Sequence, residues 1–65
     1  MQIFIVVSQI QNRRTKKMET LFLTDAVNML GDRRYGMEQD NASLYETREA
    51  AEQDALANKG TVRSV

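Results

Sequence analysis

The sequence predicts a small α+β domain: an antiparallel sheet of three to five strands, opened by an N-terminal hairpin and packed against one C-terminal α-helix. Three observations carry this expectation. Ile3, Phe4, Ile5, Val6 and Val7 form a β-branched and aromatic run, the residue types that fit a pleated, buried surface. A polar stretch, residues 11–17, separates it from a second apolar alternation at residues 18–23. Residues 47–58 are rich in Ala and Glu, open on Thr47 and are followed by Gly60, the start and stop signals of a helix.

The first strand is expected over residues 2–10. Alternation puts Ile3, Ile5 and Val7 on one side and Phe4, Val6 and Ile10 on the other,. A strand apolar on both faces needs cover on both, and one helix covers one. The second face is therefore expected to meet a partner, a second copy, or the short segment after Thr24. Asn12 suits the connecting turn because its short side chain tolerates left-handed backbone. In the second strand Leu21 and Leu23 face one way, and Met18, Thr20 and Phe22 the other.

Residues 24–36 have two readings. Thr24 or Asp25 can cap a short helix holding Ala26, Val27, Met29 and Leu30 and ending at Gly31. The preferred reading is a hairpin: a strand through residues 27–30, a turn at Gly31-Asp32, and a return through residues 33–37. Residues 37–43 are polar and read as a loop. In the helix expected over residues 47–58, Ala51 and Ala55 share a face with Leu44, with Tyr45 and Leu56 at its edge. Glu46, Glu49, Gln53 and Asp54 are assigned to the opposite, solvated face. Residues 61–65 are expected to return as an edge strand with Val62 or Val65 packed inward. The methionines, the initiator Met1 apart, are read as core fillers.

A chain of 65 residues is expected to form a single domain, residues 1–65. With no cysteine and no histidine, disulfides are excluded and a zinc site is not expected; neither metal nor cofactor is predicted. The apolar run at residues 3–7 is too short for a signal peptide or a membrane span. The expectation is a soluble, cytoplasmic protein, monomeric or homodimeric, that does not bind membranes. Net charge is zero, from nine basic and nine acidic residues. Residues 1–36 hold six basic against three acidic residues, and residues 37–65 reverse that ratio. Such asymmetry gives a small domain a basic and an acidic side.

Catalytic equipment is sparse. No Ser-His-Asp or Cys-His constellation is possible, and residues 31–36 contain two glycines without forming a phosphate-binding loop,. Glu46/Glu49 and Glu49/Glu52 are i,i+3 carboxylate pairs, but on a face expected to be wet, where no pocket shifts a pKa. The chain is therefore read as a non-enzyme. Two surface features remain. Glu46, Glu49, Gln53 and Asp54 form a candidate acidic protein-binding face, able to offer phosphate-like charge to a nucleic-acid-binding protein. Arg13, Arg14, Lys16 and Lys17 form an alternative basic site able to contact phosphates. Each is also what an ordinary solvated helix or turn looks like, and the sequence does not choose between them. Tyr35 and Tyr45 are either interface anchors or closures of a thin core.

The opening strand MQIFIVV, the basic hairpin and the acidic helix TREAAEQDALA resemble, in format, small phage-encoded host-takeover proteins of the anti-CRISPR type. That resemblance implies an inhibitor in the host cytoplasm that binds a nucleic-acid-handling protein complex, some members acting by mimicking DNA. A net charge of zero departs from a strong DNA mimic. The alternatives are direct nucleic-acid binding through the basic hairpin and a small structural or oligomeric subunit.

Overall fold

A computed structural model describes residues 2–65; Met1, the first residue of the opening run, lies outside the described residues. The elements are strands β1 (Phe4–Gln11), β2 (Met18–Val27) and β3 (Arg33–Gly36), a 3-10 turn (Gln39–Asn41), helix α1 (Arg48–Asn58) and strand β4 (Thr61–Ser64). The four strands form one antiparallel sheet in the order β3-β2-β1-β4. The expected α+β architecture is thus present, with the hairpin at the N-terminus and the helix near the C-terminus.

Register fixes the two faces. Val7 lies opposite Phe22, Leu23 opposite Tyr35, and Val6 opposite Val62, and cross-strand partners share a face. Phe4, Val6 and Leu23 meet Ala51 and Ala55 of α1, with Tyr35, Tyr45 and Val62 closing the rim. Both alanines are buried; their small side chains let the helix backbone approach the sheet. Leu44 and Leu56 do not join them, being 69% and 86% exposed. Leu44 precedes the helix, and Leu56 sits one residue past the face set by Ala51 and Ala55. Val62, rather than the exposed Val65, packs inward.

The second face of β1 is covered by the chain itself. Ile5, Val7 and Phe22 pack with Ala42, which follows the 3-10 turn. The cover comes not from the residues after Thr24 but from the later connection between β3 and α1. The same connection wedges the sheet open. The Ser43 N–H donates to the Leu23 carbonyl, while Phe4 and Tyr45 exchange both backbone hydrogen bonds at 2.9 Å. Residues 43–45 therefore lie between β1 and β2 where those strands diverge, and β2 is irregular beyond Leu23. With Ile5 only 1% and Val7 2% exposed, the reading of this face as a subunit contact loses its basis.

Local chemistry sets the ends of the elements. The Thr47 hydroxyl accepts from the Ala50 N–H at 3.2 Å, capping α1 as its sequence position predicts. The helix stops at Lys59, in left-handed backbone with φ 58°. Gly60 follows because nothing larger fits: a Cβ there would lie 2.6 Å from both the Tyr35 hydroxyl and Val6 Cγ1. In residues 24–36 a hairpin forms rather than a helix, but the strand expected over residues 27–30 ends at Val27, where β2 stops, and residues 28–30 belong to a turn spanning residues 28–32 that closes on its own hydrogen bonds. The methionines are a correction. Met18, Met29 and Met37 are 61%, 103% and 71% exposed, because the core is already filled by β-branched and aromatic residues of β1 and β2.

Candidate functional site

Strand directions sort the surface features into two ends. β1 runs from Phe4, beside Tyr45 and the start of α1, toward Gln11 and the first turn. β2 runs back, so the second turn, residues 28–32, leaves from the opposite end. One end carries the N-terminal part of α1 and the second turn; the other carries the basic turn.

At the first end, Glu46, Glu49, Glu52 and Gln53 are exposed. Every ion pair among the described residues is made by Arg33, so these glutamates are free of side-chain cations. Asp54 is different and corrects the sequence reading. Its carboxylate is only part-exposed, accepts from the Tyr45 hydroxyl at 2.5 Å, and pairs with Arg33. The Tyr45 hydrogen bond holds Asp54 below the usual carboxylate range; partial burial opposes this, and the Arg33 guanidinium reinforces it,. Tyr45 is pushed up, first by burial and then by the Asp54 carboxylate. Asp54 thus belongs to the scaffold, leaving Glu46, Glu49 and Gln53 as the predicted residues that remain free.

Arg33 organises that scaffold. Its guanidinium donates to the Thr24 carbonyl at 3.1 Å, to the Ser43 hydroxyl at 2.7 Å and to Asp54, and reaches Asp25 at 3.5 Å. β2, the wedge and α1 are thereby tied to the first residue of β3. Tyr35 donates to the Asn58 carbonyl at 2.8 Å. Both tyrosines close the core with satisfied hydroxyls and are not free anchors.

The sequence reading placed a turn at Gly31-Asp32 but missed that it begins at Asn28 and carries Met29 and Leu30 at its crest. Asn28 Oδ1 accepts from the Leu30 and Asp32 N–H groups at 2.9 and 3.0 Å. The Asn28 N–H donates to the Asp32 carbonyl, and Gly31, at φ 85°, donates to the Asn28 carbonyl. This closed turn holds Met29 and Leu30 outward at 103% and 87% exposure, between the exposed acids Asp25 and Asp32. The signal available in the sequence was Asn28 followed by Gly31, an Asx turn with an apolar pair at its crest.

At the other end, Arg13, Arg14, Lys16 and Lys17 are all exposed on the β1–β2 turn. Asn12 is in that turn, but not in the left-handed backbone expected of it, which Lys16 adopts at φ 58°; its side-chain oxygen instead accepts from the Arg14 and Thr15 N–H groups at 2.9 and 3.3 Å. Lys59 adds a further cation. It lines a hollow of about 300 Å³ with Val7, Ser8, Gln9, Gly60 and Thr61, where the helix ends beside the hairpin arm.

Among the described residues, no group of three or more Asp or Glu side chains is placed to hold a metal ion, and no helix is long and apolar enough to cross a membrane. Comparison with protein-family models, curated proteins and solved structures gave no match.

Proposed function

We propose that the chain is a non-catalytic binding protein that inhibits a nucleic-acid-handling protein complex in the cytoplasm, as the takeover proteins it resembles do. The observation that carries this reading is the second turn. Met29 and Leu30 are held in water by a turn whose hydrogen bonds fix their position. Exposed apolar side chains on a pre-organised turn lose little entropy when a pocket takes them up, and methionine is enriched at protein interfaces. Phosphates offer such a pair nothing, so the partner at this end is a protein. The free acids Glu46 and Glu49 leave the same end and give it a charge that suits the basic surface of a nucleic-acid-binding protein,.

Affinity capture from the cell of origin tests this, using the wild type, Met29→Ser/Leu30→Ser, and Glu46→Lys/Glu49→Lys. The expected outcome is retention of a nucleic-acid-binding protein by the wild type and its loss from both variants, with circular dichroism unchanged. Equal retention by all three proteins would overturn the reading.

A further inference from the structure

We infer that the β1–β2 turn at the opposite end of the molecule, with Lys59 at the base of its arm, binds the phosphodiester backbone of double-stranded nucleic acid. This does not depend on the protein-binding reading, which concerns the other end.

The first support is charge that nothing in the fold neutralises. Arg13, Arg14, Lys16 and Lys17 make no ion pair among the described residues. Glu19, the acid nearest them in sequence, accepts from the Asn12 amide at 3.1 Å instead. The Lys16 N–H donates to the Asn12 carbonyl at 2.7 Å, the Asn12 N–H to the Lys17 carbonyl at 2.9 Å, and the Lys17 N–H to the Thr15 hydroxyl at 3.3 Å. The cations are thus presented on a closed turn at the end of a two-stranded arm.

The second support is where the chain spends unfavourable backbone. Among the described residues, the non-glycine positions with positive φ are Lys16 and Lys59, both at 58°. Left-handed backbone favours Gly, then Asn, over any residue with a long side chain, and Gly is the usual residue at a helix end of this kind. The chain places a lysine at both. Turn formation alone gives no reason for that choice, whereas a need for positive charge along this arm, at its tip and at its base, does.

Third, the arm stands clear of the acids of α1 and the second turn; Glu19, opposite Ile10, is the one acid it carries against four cations. From Phe4, beside the start of α1, to Gln11 is seven residues, or about 23 Å of strand,. That is about three Debye lengths at physiological salt, ~8 Å each. A net charge of zero therefore does not describe the field a phosphate meets at the arm. The turn has no aromatic residue, so it lacks a stacking platform for single-stranded bases. Backbone phosphates of a duplex, with their higher charge density, are the ligand its chemistry fits.

Fluorescence anisotropy of a labelled DNA duplex, titrated across salt concentrations, tests the assignment. The plot of log binding constant against log salt should have a slope of about −3.6 for four phosphate contacts, or about −4.5 if Lys59 also engages. Arg13→Ala/Arg14→Ala should flatten the slope by about 1.8, and Arg13→Lys/Arg14→Lys should preserve it. Lys16→Gly separates fold from function: it relieves the left-handed backbone, so melting temperature should hold or rise while the slope flattens by about 0.9. No anisotropy change at low salt would overturn the proposal. So would a slope that survives Arg13→Ala/Arg14→Ala, or binding confined to phosphatidylserine vesicles and absent with the duplex.

Discussion

Arg33 leaves the second turn pointing back into the molecule, and its guanidinium meets three separate stretches of chain. A lysine keeps the charge but cannot satisfy a carbonyl, a hydroxyl and a carboxylate together. Arg33→Lys is expected to lower unfolding free energy by about 1–2 kcal/mol, read by denaturant titration. Acid stability follows from Asp54. Its carboxyl titrates below the ordinary value of 3.8 in the folded chain, so its contribution is complete above that value and is lost as pH falls through the lowered one. Melting temperature should therefore drop with acidification below pH 3.8, and Asp54→Asn should flatten that limb. At the alkaline side Tyr35 and Tyr45 stay protonated above their ordinary 10.0, so stability declines as pH rises past it. Gly60→Ala forces a methyl group to within 2.9 Å of the Val7 carbonyl oxygen, and should cost about 1–3 kcal/mol. Little of this was legible in the sequence. Asp54 reads as one more helix acid until the fold brings Arg33, 21 residues away, against it.

Elements were more legible than residues because their signals are local. The Ile3–Val7 run, the Asn12 turn and the Thr47 cap each act over a few positions, and each appears in place. Thr47→Ala should lower stability by about 1 kcal/mol through the lost Ala50 N–H bond,, measurable by thermal melting. The connection between β3 and α1 was not legible in its role. It is polar and short of regular structure, yet Ala42 covers the second sheet face and residues 43–45 enter the sheet. Whether a polar loop crosses over a sheet or away from it depends on where β3 ends, a long-range fact. The exposed methionines were misread for a related reason. Composition states how much apolar volume a chain has, but only the packed structure shows that Phe4, Ile5, Val6, Phe22 and Leu23 already fill the core.

At the scale of the whole molecule, the separation of charge between the halves of the sequence becomes a separation along the sheet. The chain extends 38 Å along its longest axis. One end holds Glu46, Glu49 and the Met29–Leu30 crest, and the other the hairpin cations, with Lys59 at the base of their arm. The sequence left open which of two surfaces binds; antiparallel strand directions place them apart, so each is free to take its own partner. A molecule of this form, proposed here as an inhibitor, is suited to sit where a protein holds a duplex, with its apolar, acidic end against the protein. The most direct test of that central claim is a calorimetric titration of the purified capture partner with wild type and with Met29→Ser/Leu30→Ser. A negative heat-capacity change, the mark of apolar burial, is expected for the wild type. The variant should lose at least about tenfold in affinity, or 1.4 kcal/mol. An unchanged affinity in a folded variant would contradict the claim.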